Sequence, residues 1–196
     1  MIHTLLKNKR VILASSSPRR KEIFDFVGIK AVQFPADVDE ECTESNPIKF
    51  IRNLSKRKCE HVYKQMESDC IVVAADTIVY LDKTILGKPI DKAQAKEFLQ
   101  WLSGSTHYVY TGVTVAYKHT YYSSYVKSKV EFIELNDNEI DEYIATDEPL
   151  DKAGAYGIQG FGSQFIKKIN GCYFNVMGFP ISLFYKMLKE ILSLEK

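Results

Sequence analysis

The segment from Val11 to Val27 constrains the architecture of this chain more than any other. Val11-Ile12-Leu13 is a short apolar run, and Ala14-Ser15-Ser16-Ser17 is small and polar. Pro18-Arg19-Arg20 then leads into a helical pattern with apolar residues at Ile23, Phe24, Phe26 and Val27. That order reads as strand, tight turn and helix, the opening of a sheet covered by helices. Ser17 suits an N-cap and Pro18 the first helical position, where a missing N–H costs nothing. The two arginines run against the partial positive charge of a helix start, and Arg20 stands where a capping box would place Glu. Two cations beside free N–H groups and three hydroxyls suit a bound anion, with phosphate the usual candidate. The alternative is that both arginines lie in solvent or pair with distant carboxylates.

The alternation continues along the chain. Ala31 to Ala36 suggests a short strand, followed by the acidic stretch Asp37, Asp39, Glu40, Glu41 and Glu44. Asn46-Pro47 opens a helix carrying Phe50, Ile51, Leu54, Cys59, Val62 and Tyr63 on one side. Ile71 to Leu81 is β-rich and interrupted by Asp76, with a turn at Asp82-Lys83 and a return through Ile85 and Leu86. Asp91-Lys92-Ala93-Gln94 is a capping-box pattern for a helix through Leu102, and two strands, Tyr108–Tyr117 and Tyr121–Leu135, join near Lys118-His119. A second capping box, Asn136 with Glu139, starts a short helix to Ala145; a Gly-rich segment and a helix from about Pro180 complete the chain. The pattern predicts an α/β fold with a mixed sheet flanked by helices.

At 196 residues the chain is expected to be a single domain spanning 1–196, or two lobes sharing a core, and is long enough to bury that core without staples. Its net charge of +1 offers no global field for nucleic acid, so anion binding must come from a local cluster. The cysteines Cys42, Cys59, Cys70 and Cys172 are scattered without zinc-type spacing and read as reduced thiols. The Met1–Arg10 segment lacks the apolar stretch of a signal peptide, and no run approaches the ~20 residues that span a bilayer. A cytoplasmic protein without membrane partners is the expectation.

Three further features can carry chemistry. Asp76 sits in the apolar strand Val72–Val79, where a carboxylate is costly unless hydrogen-bonded, paired or metal-bound; a strand-end Asp bonding its own backbone is the plain alternative. Lys88, in the turn Gly87-Lys88-Pro89, is ordinarily a solvent lysine. The segment Asp151 to Gly162 allows close backbone approach to a ligand or a tight connection between packed elements, and matches neither the Walker A loop nor the dinucleotide fingerprint. Cations for phosphates and carboxylates for a divalent metal together suggest phosphoryl or nucleotidyl chemistry. The histidines His3, His61, His107 and His119 lack convincing partners for a nucleophilic arrangement.

Six stretches occur in an order that resembles one family. They are Ser15-Ser16-Ser17-Pro18-Arg19-Arg20, Val38-Asp39-Glu40, Ala75-Asp76-Thr77, Gly87-Lys88-Pro89, Tyr110-Thr111-Gly112-Val113 and Asp151 to Gly160. From about Val11 to Leu188 the chain resembles the Maf nucleoside triphosphate pyrophosphatases. That resemblance implies an elongated, twisted mixed sheet with two lobes around a cleft, similar to the inosine triphosphate pyrophosphatases. It implies hydrolysis of a nucleoside triphosphate to monophosphate and pyrophosphate with Mg²⁺ or Mn²⁺. It casts Asp76 as proton acceptor, and Glu40 with Asp76 at the metal. Ser15, Arg20, Lys58 and Lys88 fall to the phosphates, and Arg19, Thr77 and Gln159 to base specificity. Thr77 and Gln159 resemble the members that act on dTTP and UTP, whereas Gln and Glu there mark those preferring 7-methyl-GTP. Ser16 stands where the family often has Gly. A homodimer is a further expectation of the resemblance, and nucleic acid is not an expected partner. The competing readings are a 7-methyl-GTP or other purine pyrophosphatase, and a non-catalytic nucleotide-binding regulator of cell division.

Overall fold

The computed structural model describes residues 1–40 and 44–193; Glu41 of the acidic stretch and Cys42 lie outside the described residues. Its strands are β1 (Val11–Leu13), β2 (Ala31–Gln33), β3 (Ile71–Leu81), β4 (Thr84–Leu86), β5 (Thr106–Tyr117), β6 (Thr120–Phe132) and β7 (Ile166–Asn170). Its helices are α1 (Ile2–Leu5), α2 (Pro18–Phe26), α3 (Pro47–Tyr63), α4 (Lys92–Leu102), α5 (Asp137–Ala145), α6 (Tyr173–Met177) and α7 (Ile181–Ser193). The seven strands form one sheet in the order β2-β1-β3-β5-β6-β7, with β4 paired to β3. β1 is parallel to both β2 and β3, whereas β3–β4 and β6–β7 are antiparallel. The fold is therefore mixed α/β.

The parallel strands are buried as such strands must be. All three residues of β1 are covered, and eight of the first nine residues of β3 are buried. Two-residue turns close the hairpins. Asp82 and Lys83 (φ 45° and 68°) join β3 to β4, and Lys118 and His119 (φ 44° and 63°) join β5 to β6. Positive φ at both central residues gives the turn a twist that matches the strands it connects.

The contacts divide the chain into two compact units. The first comprises Met1–Asp76, Thr111–Val126 and Gly178–Lys196, and the second Thr77–Tyr110 and Lys127–Met177. In the first, the α3 face Ile51, Leu54, Cys59 and Val62 is buried, and Cys59 and Val62 pack with Ile12, Ala14, Val72, Ala74 and Ala116. Gly112 permits this packing, because a Cβ there would lie 2.5 Å from the Ile51 carbonyl oxygen. Phe24 of α2 packs edge-on against Phe179 at 4.9 Å, and Phe184 of α7 completes the cluster. Phe26, which the helical pattern groups with Phe24, is 79% exposed instead. In the second unit, Val79, Phe98, Leu99, Leu102, Phe132, Ile140, Tyr143, Tyr156 and Phe165 share one core.

Helix starts differ in detail from the sequence patterns. Asn136 and Glu139 form the full reciprocal box on α5. On α4, Asp91 accepts from the Gln94 N–H at 2.8 Å, but Gln94 returns its bond to the Ile90 N–H, one residue too early for a box. Ser17 occupies the cap position of α2 without a side-chain cap bond. α1, α6 and β7 have no counterpart in the sequence reading: the helices are too short for a period, and β7 reads Ile166-Lys167-Lys168-Ile169-Asn170, without strict alternation.

Candidate active site

In the first unit, the turn after β1 and the start of α2 build an anchored cationic corner. Ser15 is buried, and its Oγ accepts from the Ser17 N–H at 3.2 Å and from an Arg20 terminal nitrogen at 3.0 Å. Arg20 Nε donates to the Gly178 carbonyl at 2.9 Å, so the guanidinium is held from both sides. Gln33, at the end of β2, donates to the Ser15 carbonyl at 3.2 Å and steadies the turn. The solvent reading of Arg20 is thereby overturned: its position is built. Burial lowers its basicity, the charges of Asp76 and Glu40 raise it, and Arg19 lowers it. Arg20 therefore lies within electrostatic reach of both carboxylates.

Those carboxylates converge on Lys58. Its Nζ lies 2.6 Å from Asp76 Oδ1 and 2.8 Å from Glu40 Oε1. The Lys58 and Asp76 side chains are only 10% and 11% exposed, while that of Glu40 is 56% exposed. The position of Lys58 follows from helix period: it lies on the inward stripe of α3 with Ile51, Leu54, Ser55 and Val62. A lysine on a buried stripe is therefore a signal in the sequence itself, one that composition and spacing did not single out. Asp76 faces a paired cation, which meets the cost of a carboxylate in an apolar strand. Arg57 donates to the Asp39 carbonyl, tying the acidic stretch to the same helix.

The remaining candidates belong to the second unit. Thr77 follows Asp76 on β3 and is half-buried; Lys88 and Gln159 are exposed. The turn of Lys88 and the Gly-rich segment meet, since the Gly154 N–H donates to the Gly87 carbonyl at 2.9 Å. Sequence reasoning missed the organiser of this segment, Glu148. Its carboxylate accepts from Tyr143 Oη at 3.0 Å and from the Phe161 and Gly162 N–H groups at 2.8 and 3.2 Å. A Cβ on Gly160 would fall 2.2 Å from Glu148 Oε2, so a side chain there would have to displace the Glu148 carboxylate. His107 is buried in this unit's core, with Nε2 2.7 Å from Tyr156 Oη, and burial lowers its pKa to about 4.

The carboxylate pair of Glu40 and Asp76 suits a hard divalent cation, for which oxygen donors are preferred. The bridging Lys58 ammonium shows that both carboxylates already address one positive charge. A separate group, Glu67, Asp69 and Cys70, has ligand atoms within 4.8 Å of one another, but it belongs to the turn before β3, where the Cys70 N–H donates to the Glu67 carbonyl.

The family model of Maf-like proteins matches residues 10–191. The chain belongs to the Maf-like protein family. Two similar relatives are proteins named dTTP/UTP pyrophosphatase. One, from Bacillus anthracis, is 46% identical over 183 residues, covering 93% of this chain and 95% of the relative. The other, from Bacillus cereus, is 47% identical over 183 residues, covering 93% of this chain and 90% of the relative. Among solved structures, a HAM1 protein from Coxiella burnetii is similar with a TM-score of 0.45 and 14% identity, over 63% of this chain and 73% of that one. Among the described residues, no helix of this Maf-like chain is long and apolar enough to cross a membrane.

Proposed function

We propose that this Maf-like chain acts as one functional domain and hydrolyses dTTP, UTP and related pyrimidine triphosphates to the monophosphate and pyrophosphate in the cytoplasm. The observation that carries the reading is the buried Lys58 bridging Asp76 and Glu40, in a chain whose relatives bear that name. Arg20, Lys58 and Lys88 bind phosphate oxygens, and Ser15 holds Arg20 in place. Asp76 takes the proton of the water that attacks the α-phosphorus, and pyrophosphate leaves. Glu40 and Asp76 would hold Mg²⁺ or Mn²⁺, which when bound supplies charge neutralisation at the phosphates. Fixed cations aimed at developing charge supply most of the acceleration, and the base adds about 10²–10⁴-fold.

Thr77 and Gln159, with Arg19, read the base. A hydroxyl and an amide suit the carbonyls and ring N–H of a pyrimidine, while a carboxylate suits the cationic 7-methylguanine.

Pyrophosphate release across dTTP, UTP, dUTP and 7-methyl-GTP, with Mg²⁺ and with Mn²⁺, tests the reading. The pyrimidine triphosphates are expected to lead, and a preference for 7-methyl-GTP in the wild type overturns the base assignment. Absence of turnover with every triphosphate and both metals favours a nucleotide-binding regulator. The double change Thr77→Gln, Gln159→Glu is expected to lower kcat/KM for UTP and dTTP far more than for 7-methyl-GTP, because polar groups left unpaired penalise the wrong base. Equal loss on all substrates would assign these residues to catalysis in general.

A further inference from the structure

One flank of α3, beside the stripe that carries Lys58, forms one wall of a groove of about 380 Å³. Ile48, Lys49, Arg52, Asn53 and Lys56 line it from the helix, and Tyr121 and Ser123 from β6. Every one of these residues belongs to the first unit. Three of the seven are cations and none is acidic, in a chain whose net charge is only +1. Glu60 pairs with Lys56 at the edge, and the lining itself stays net positive, which favours anions.

Two of the three cations are also unspent. Lys56 pairs with Glu60 at 3.6 Å, but among the described residues no carboxylate pairs with Lys49 or Arg52. Lys49, Arg52 and Lys56 follow the three- and four-residue spacing of one helix face, and seven residues at ~1.5 Å each spread their charges over about 10 Å. Such a row fits an anion with charge distributed along a chain better than a single carboxylate. The wall opposite is fixed. Tyr121 packs edge-on against Tyr63 with ring centroids 5.5 Å apart. Ser123 Oγ is 2.8 Å from Thr114 Oγ1, which is 3.0 Å from the buried Ser55 Oγ. A pre-set hydroxyl and an aromatic wall beside a row of cations make a site for a phosphorylated small molecule, at a volume usual for such sites.

We propose that this groove is a second anion site, taking the di- or triphosphate group of a free nucleotide or inorganic pyrophosphate. The inference stands on the groove alone and does not require turnover. Its place on α3 sets the ligand on the same helix that presents Lys58.

The test uses the whole protein and two probes, inorganic pyrophosphate and α,β-imido-dUTP, which has no cleavable anhydride at the α-phosphorus. Calorimetric titrations and amide shifts compare wild type, Lys49→Gln with Arg52→Gln, and Arg20→Ala. The expected result is two binding events in wild type. The weaker one shifts amides at Lys49, Arg52 and Ser123, and the double change weakens it at least tenfold, the least expected on losing one charge-assisted contact. Turnover of the double variant is expected to stay within about twofold of wild type, while Arg20→Ala keeps the groove event. If only α,β-imido-dUTP produces the groove event, the ligand is a nucleotide; if both do, the polyphosphate suffices. Unchanged binding of both probes by the double variant overturns the proposal. So does an oligothymidylate that outcompetes both probes at these residues, because the groove would then serve nucleic acid. A wild type without turnover on any triphosphate would instead remove the pyrophosphatase reading and leave the groove measurement intact.

Discussion

Arg20 shows how a residue's meaning changes once its neighbours are known. As a charge at a helix start it is unfavourable, and removing it is expected to leave stability unchanged or raise it slightly. Its bonds to Ser15 Oγ and the Gly178 carbonyl reverse that sign. Arg20→Ala is therefore expected to cost about 1–2 kcal/mol, roughly two net hydrogen bonds less the relief at the dipole. Urea denaturation reads the cost, and kcat/KM for dTTP is expected to fall in parallel. A stability at or above wild type shows that the two bonds contribute nothing net. Asp76→Asn separates chemistry from architecture at the next position. The amide can still accept from Lys58 Nζ but cannot take a proton from water, so kcat is expected to fall at least ~10²-fold while the circular dichroism spectrum is kept. Near-normal turnover at saturating substrate and metal would remove Asp76 from the mechanism. The strand carboxylate was legible in sequence because an Asp in an apolar run demands an explanation. Its partner Lys58, 18 residues earlier, came only with the resemblance.

At the scale of elements, α3 is the part on which the site depends, since it carries Lys58 inward and packs across β5. The approach is set at Gly112, where an added Cβ would meet the Ile51 carbonyl carbon and oxygen at 2.8 and 2.5 Å. Backbone cannot swing aside as a side-chain tip can, so Gly112→Ala must shift the helix. We expect a loss of about 1–3 kcal/mol on chemical denaturation, the usual range for overpacking, together with a drop in turnover as Lys58 moves from Asp76. Gly87→Ala is the matched control, because a Cβ there has no neighbour within 4 Å and φ is not in the left-handed region. Equal stability of the two variants would show that the α3–β5 contact relaxes freely. Long elements with clear periods, α3, β3 and α7 among them, were readable in advance. The cap of α2 was not: Ser17 has the right residue type at the right place, but Ser15 holds the hydroxyl that bonds its N–H. Cap chemistry is decided by where the preceding turn points its oxygens, which residue type alone does not fix.

Across the whole molecule, the stability profile with pH should carry the mark of a single buried histidine. His107 has a pKa of about 4 in the folded protein against an ordinary 6.5, because burial disfavours its charged form. The unfolded chain binds the proton first as pH falls, so this stabilisation is complete above about pH 6.5 and is lost progressively toward about pH 4. The shift corresponds to about 3 kcal/mol at most. Urea midpoints from pH 7.5 to 4 are expected to fall, and His107→Gln, which cannot titrate, should flatten that part of the curve at some cost in stability at neutral pH. An unchanged slope in the variant would assign the acid sensitivity to other groups. The sequence by itself determined the α/β alternation, both hairpin turns, the α5 capping box and the suspicion attached to Arg20 and Asp76. These are local: each is written in period, turn chemistry or a charge out of place within a dozen residues. Tertiary structure alone decided that Lys58 bridges Asp76 and Glu40, that Gly178 anchors Arg20 from 158 residues away, and that Glu148 gathers the Gly-rich segment. Those pairings depend on which buried surfaces meet when the sheet forms, a property of strand order that no local pattern encodes.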